Sequence, residues 1–312
     1  MIKEEEKENI REGAFTSKVC SIVVTYNGEE TILKSIGSLV NSNIINHEIF
    51  IFDNNSSDKT VSLIKATYPM VSVISSGENL GYGNANNLGF KLGLKNNADY
   101  FFLLDQDAWV EPDTISKLIQ ASKMNMNFGV FAPLQLTVEG EFDFQFAKYY
   151  KNSTVLDKQI RECKFVNSAA WLITKRCILK TGGFSPIFFH FGVENDYARR
   201  ARYHNFKLGI VTFTSYIHDR EKRVKRKLNH ENQVHHVYVN QLASLLDINR
   251  SLLVQYMIQY YRIFNNIIPT RRTNKHIEIE AFLLGSIKAQ MQFLKILKFR
   301  NASKKSMAYL DN

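Results

Sequence analysis

Hydrophobic and polar positions follow two rhythms along this chain, and the first half switches between them at regular intervals. "VCSIVVTY" (residues 19–26) is a run of β-branched and apolar residues, which predicts a buried strand. "GEETILKSIGSLVNS" then spaces its apolar residues for one face of a helix. "HEIFIFD" (47–53) predicts a second strand, and "SSDKTVSLIKATY" a second helix with Ser57 or Asp58 as its N-cap. "MVSVIS" (70–75) reads as a third strand. "NLGYGNANNLGFKLGL" is rich in Gly and Asn before it turns helical. "DYFFLLD" (99–105) is a fourth strand, and "EPDTISKLIQASK" a helix with Pro112 near its first turn.

Four strand–helix alternations predict an α/β fold, with a mostly parallel, Rossmann-like central sheet and helices on both faces. Ligands of such sheets bind beyond the carboxyl ends of the strands. Asp53, Asp105 and the tripeptide Thr25-Tyr26-Asn27 all fall at those ends.

Past residue 125 the rhythm changes. "FGVFAPLQLTVEGEFDFQF" and "CKFVNSAAWLIT" read as further strands. "KRCILKTGGF" reads as a short helix with a glycine stop, and "ENDYARRARYHNFKLGIV" as a helix and then a strand. "DREKRVKRKLNHENQ" is a charged linker. Helical spacing resumes at His235, and one long helix is expected over about 277–299. The expected organisation is a charged tail at 1–16, an α/β domain at 17–218 and a basic, helical C-terminal region at 219–312.

Composition narrows the class. Hydrophobic residues make up 45% of 312, enough for a sizeable core, which argues against global disorder. Three cysteines without metal-ligand spacing read as buried thiols in a reducing compartment. "MIKEEEKENIREG" lacks the apolar run of a secretory leader, and no stretch of about 18 uncharged apolar residues is present. Residues 219–312 hold 17 Lys and Arg against 7 Asp and Glu, which accounts for the whole net charge of +10. Such asymmetry points to a basic surface that meets nucleic acid, an anionic membrane or an acidic ligand.

Candidate chemistry collects at the strand ends. Asp105 and Asp107 form a D-x-D that offers oxygen ligands to Mg²⁺ or Mn²⁺, or else a turn with two solvated aspartates. Asp53 could accept hydrogen bonds from a base or ribose, or cap a turn. The stretch from Glu78 to Gly89 could bring backbone N–H groups to a diphosphate at a helix start, though it contains neither a Walker A nor a G-x-G-x-x-G pattern. Glu194 in an apolar surround could serve as a general base, or simply answer a helix dipole. His218 sits at a strand end as ligand or as structural histidine.

Taken in order, "SIVVTYN", "IFIFDNNSSD", "NLGYGNANNLG", "LLDQDAWVEP" and "GVENDYARRAR" resemble the successive motifs of family 2 glycosyltransferases with a GT-A fold, over about residues 18–220. The resemblance implies that Thr25, Tyr26 and Asn27 line a nucleotide site and that Asp53 binds a pyrimidine base. It places Asn79, Gly81 and Asn86 near ribose and diphosphate. It makes Asp105 and Asp107 the metal-binding pair, with Asp107 the more direct ligand, and His218 a late histidine that joins the metal in some members. Glu194 matches the catalytic base, Asp196 the second acid of that motif and Arg200 the arginine one turn on. The family often shows Glu-Asp where this chain reads Val193-Glu194.

The activity so implied is inverting, metal-dependent transfer from a nucleoside-diphosphate sugar to a hydroxyl of a saccharide or polyprenyl-linked acceptor in polysaccharide synthesis. The "DQD" form resembles many bacterial rhamnosyltransferases, which use dTDP-rhamnose; a UDP-hexose is the other donor considered. Localisation is expected to be cytoplasmic, or peripheral on the inner membrane face through Arg220–Lys227. Alternatively, the C-terminal helices pack on the catalytic domain or form a homo-oligomer.

Three other classes compete. A sugar-nucleotide pyrophosphorylase would carry a basic Gly-rich loop after the first strand, which "TYNGEET" lacks. A glycosidase has no use for a nucleotide-type loop. A non-catalytic membrane or nucleic-acid binder would use the basic C-terminal third but leave the five motifs unexplained, so no nucleic-acid partner is expected.

Overall fold

The computed structural model describes residues 17–220, 229–270 and 276–310. The expected tail at 1–16 and the basic run from Glu221 to Lys227 lie outside the described residues.

A ten-stranded mixed sheet organises the molecule. Its strands are β1 (Val19–Thr25), β2 (His47–Asp53), β3 (Ser72–Ser75), β4 (Tyr100–Asp105), β5 (Ala108–Val110), β6 (Phe128–Leu136), β7 (Thr154–Val155), β8 (Ile160–Cys163), β9 (Ala170–Thr174) and β10 (Lys207–His218). The order is β3-β2-β1-β4-β9-β6-β10-β8-β7, with β5 on β10. The four strands read from the first half are parallel. Beyond β4 the sheet is mixed, because β9 inserts antiparallel between β4 and β6.

The helices are α1 (Ile32–Val40), α2 (Thr60–Thr67), α3 (Gly81–Lys95), α4 (Thr114–Met124), α5 (Phe144–Lys151), α6 (Lys175–Thr181), α7 (Val193–Tyr203), α8 (His230–Leu245), α9 (Leu252–Thr270), α10 (His276–Gln290) and α11 (Phe293–Ser303). Strand β4 shows why both sheet faces are covered. Phe101 and Leu103 point into a core built with Phe90 of α3 and Tyr197 of α7, whereas Phe102 and Leu104 point into one built with Ile36 of α1 and Leu118 of α4.

Several expected boundaries move. The N-cap of α2 is Lys59; Asp58 instead accepts from the Thr60 backbone N–H and hydroxyl and from the Glu29 N–H, and so ties two loops together. "FDFQF" enters helix α5 rather than continuing a strand, because Asp143 caps it through the Phe146 N–H. The helix expected over 277–299 breaks at Met291-Gln292. Arg300 explains that break: its guanidinium donates to the carbonyls of Leu245, Asp247 and Arg250 and holds α11 against the end of α8. All three cysteines are buried free thiols.

Candidate active site

A cleft of about 520 Å³ opens at the carboxyl ends of β1 and β4. Of the residues singled out in the sequence, Thr25, Tyr26, Asn79, Gly81, Asp105, Asp107, Glu194 and His218 line it. Asn27, Asp53, Asn86, Asp196 and Arg200 are not in its wall.

The acidic pair is delivered by strand β4, and the histidine by the far end of β10. Strand β5 folds back antiparallel on β10, which aligns His218 with Ala108, and the Asp219 N–H donates to the Asp107 carbonyl. His218 Nε2 thus lies 3.1 Å from Asp107 Oδ1 and 3.7 Å from Asp105 Oδ2. One ligand atom from each of the three falls within 4.8 Å of the others. A single divalent ion at about 2.0–2.6 Å from oxygen and nitrogen donors spans such a set, so these residues could hold Mg²⁺ or Mn²⁺.

The histidine is held from behind. Its Nδ1 lies 3.3 Å from Gln135 Nε2, and Gln135 Oε1 accepts from Tyr216 Oη and Asn167 Nδ2 at 2.8 Å each. For Nε2 to meet a cation, Nδ1 must carry the ring proton, and a rotated Gln135 carboxamide would accept it. Between the two acids, Gln106 Oε1 accepts from Thr25 Oγ1 at 2.7 Å and from the Tyr26 N–H at 2.9 Å. The middle residue of the D-x-D therefore latches the end of β1 to the end of β4.

Glu194 stands in the first turn of α7, on the same wall. Desolvation raises its pKa above the ordinary carboxylate range, and the negative charge of Asp105 adds to the rise; hydrogen bonds from its own backbone N–H and from Ser168 oppose it. Burial, and then the charge of Asp105, likewise push the Tyr82 hydroxyl well up, and Tyr82 Oη lies 3.0 Å from Ser168 Oγ.

The residues outside the wall have other partners. Asp196 and Arg200 form a buried ion pair at 2.7 Å, and Arg200 also donates to the carbonyls of Thr181 and Gly183. That spends the carboxylate and three guanidinium nitrogens on joining α7 to the loop after α6, away from the cleft. Asn86 donates to the Tyr82 carbonyl within α3. Asp53 is buried and accepts from the Ser56 N–H, while Asn27, at φ +48°, accepts from the Ser57 N–H. The start of α3 also departs from the expected diphosphate cradle. Leu80 N–H donates to Asn54, Gly81 N–H to Asn79, and Tyr82 N–H to the Phe189 carbonyl. Gly81, at φ +77°, lets the Phe189 carbonyl come so close that a Cβ there would collide with it.

Residues not singled out as site residues in the sequence complete the wall: Val24, Asn54, Tyr82, Gln106, Asn167, Ser168, Ala169, the triplet Phe189–Phe191 and Arg220. Asn167 and Ser168 arrive because β9 runs antiparallel to β4, so its start meets the end of β4, where the Asp105 N–H donates to the Ala169 carbonyl. Two polar residues just before "AAWLIT" were the available signal.

Residues 20–170 match the model of the family described as glycosyl transferase family 2. The match marks residues 20–170, just under half of the 312, as a family 2 glycosyltransferase region. An uncharacterized glycosyltransferase of Haemophilus influenzae is 32% identical over 127 residues, which are 39% of this chain and 38% of that one. The chain spans 29–38% of the length of four curated relatives that it matches. Solved structures give the glycosyltransferase domain a GT-A frame. Staphylococcus aureus TarS (residues 1–349, with UDP-GlcNAc) superposes with a TM-score of 0.59 at 13% identity, covering 92% of this chain and 88% of that one. The mannosyltransferase PcManGT of Pyrobaculum calidifontis, with GDP-Man and Mn²⁺, gives 0.57 at 12%, covering 90% and 88%.

Proposed function

We propose that this enzyme moves a sugar from a nucleoside-diphosphate donor to a hydroxyl of a saccharide or lipid-linked saccharide, with inversion at the anomeric carbon. The observation that carries the reading is one cleft lined by two chemistries: a D-x-D–histidine group and a carboxylate of raised pKa.

Asp105, Asp107 and His218 would hold the divalent ion, which when bound neutralises the nucleoside diphosphate as it leaves. Glu194 takes the proton of the acceptor hydroxyl. The acceptor oxygen then bonds to the anomeric carbon on the face opposite the departing phosphate oxygen, and the bond from that carbon to phosphate breaks. One displacement inverts the centre, by the geometric logic that separates inverting from retaining sugar chemistry. Thr25 and Tyr26, fixed by Gln106, and Asn79 form the donor side of the wall. Support for a nucleotide sugar comes from the fold neighbours, which hold UDP-GlcNAc or GDP-Man with Mn²⁺. The "DQD" form supports dTDP-rhamnose, with a UDP-hexose as the other donor, and polysaccharide synthesis is the setting the family resemblance suggests.

A thermal-shift panel with Mn²⁺ and UDP, dTDP, GDP, CMP or ADP tests the reading. A ligand at about 100 times its Kd stabilises a folded protein by about 2.7 kcal/mol. One nucleoside diphosphate should raise Tm only with the metal, and its base names the donor class. A well-folded sample with no shift for any nucleotide rules the proposal out.

A further inference from the structure

Helix α9 is packed inside out. It turns Gln255 and Gln259 inward, at 3% and 0% exposure, where Gln255 accepts from the Ser244 hydroxyl and Gln259 donates to the Gln241 carbonyl of α8. On the outside it presents Leu253, Met257, Tyr260 and Phe264, with Leu253 71% exposed. Helix α10 repeats the inversion. Its inner stripe is small, Ala281, Gly285 and Ala289 at four-residue spacing, and a Cβ on Gly285 would strike the Val234 carbonyl and Val237 of α8. Its outer stripe is Leu284 and Ile287, and the exposed Met291 follows directly after its last residue. In water the ordinary arrangement is the reverse, with large apolar residues inside and polar ones out. Small residues and side-chain hydrogen bonds between helices, with apolar bulk outside, suit helices whose outer face meets hydrocarbon.

Two further observations join these stripes and name the phase they meet. Tyr256 packs on Phe293, with ring centroids 6.4 Å apart, which brings α9 against the start of α11. There Leu294, 79% exposed, shares a helix face with Lys298 four residues on, and Lys298 lies three residues beyond the exposed Lys295. Neither lysine has an ion-pair partner among the described residues. The region that carries this surface also carries the whole net charge of +10. Two copies docked face to face would put Lys295 and Lys298 of both into one contact, whereas an anionic leaflet complements them. No described helix is long and apolar enough to cross a membrane.

We propose that the outer face of α9, α10 and the start of α11 seats the protein in the interfacial layer of an anionic membrane, its apolar side chains among the acyl chains and Lys295 and Lys298 at the headgroups. The contact lies on described helices rather than on the basic run after Arg220, and it stands apart from the transferase reading.

Co-sedimentation of the full chain with vesicles of phosphatidylcholine and phosphatidylglycerol (7:3), against pure phosphatidylcholine, tests the inference. The unaltered protein should pellet with the anionic vesicles and largely stay in solution with the neutral ones. Leu253→Ser/Met257→Ser/Leu294→Ser should lower the partition by about tenfold or more, because each exchange removes an inserted apolar side chain. These positions already face outward, so an unchanged melt should accompany the loss. Lys295→Glu/Lys298→Glu should remove the preference for anionic lipid. A protein that ignores both vesicle types, or a serine variant that binds as before, overturns the proposal. So does a dimer in sedimentation equilibrium that the serine variant converts to monomer, since the face would then be covered by a second copy. The nucleotide panel on the same samples separates failure here from failure of the transferase reading.

Discussion

Two carboxylates on the first turns of helix α7 have opposite fates. Glu194 faces the cleft, where desolvation and the charge of Asp105 raise its pKa. Asp196, two residues on, is sealed beneath the helix against Arg200. Two residues on an α-helix lie about 200° apart, so the same turn serves the site with one acid and the scaffold with the other. Acidic side chains that share a motif therefore need not share a role: what each faces decides whether its charge is available for chemistry or consumed in holding a loop.

The sharpest way to break that contrast is at the cleft's acidic pair. Asp107→Asn should abolish metal-dependent transfer and the Mn²⁺-dependent part of the nucleotide shift, with the apo melt unchanged; near-normal turnover would remove Asp107 from the metal site. Glu194→Gln should lower kcat by about 10²–10⁴, the usual worth of a general base, with little change in donor affinity. Its pH dependence sharpens the point. The folded protein keeps the Glu194 proton to higher pH than the unfolded chain does. The stability this contributes is therefore present below the unfolded carboxyl pKa and is lost as pH rises through the raised value. The acid limb of kcat/KM should sit above the ordinary carboxylate range, and the glutamine variant should be no less stable than the parent at neutral pH. A variant that loses donor affinity instead would place the base elsewhere.

On the scaffold side, Arg200→Met should cost about 3–5 kcal/mol in denaturant unfolding, since it strands a buried carboxylate and two carbonyls. A stable variant with weakened donor binding would return Arg200 to the site and collapse the comparison. The smallest effect is expected behind His218. Gln135→Leu should weaken Mn²⁺ binding by about 10–100-fold in calorimetry without nucleotide, because the imidazole loses the partner of its Nδ1. Unchanged affinity would make Gln135 a packing residue.

How far each feature could be read in advance depended on whether its cause was local. The alternation of "VCSIVVT", "HEIFIFD" and "YFFLLD" with helical stretches was enough for the parallel half of the sheet, because pleat and helix periods are local properties. The family motifs also pointed to Asp105, Asp107 and Glu194, all of which reach the cleft. The separation of Asp196 from Glu194 was implicit in helix spacing, which pairs residues 196 and 200 on one face, but nothing local said which face was buried.

What only the tertiary structure decided is whatever depends on strand order and packing partners. The insertion of β9 beside β4 brings Asn167 and Ser168 to the same cleft as Asp105, more than 60 residues earlier in sequence, and the return of β5 onto β10 carries His218 to the D-x-D. The sequence determined the elements and the chemistry available at their ends. The pairing of distant strands decided which of those ends meet, because register is set by contacts that no single stretch contains. Likewise the apolar stripe of α9 was plain in its spacing, but that it faces outward follows only from the glutamines that α8 holds on the other side.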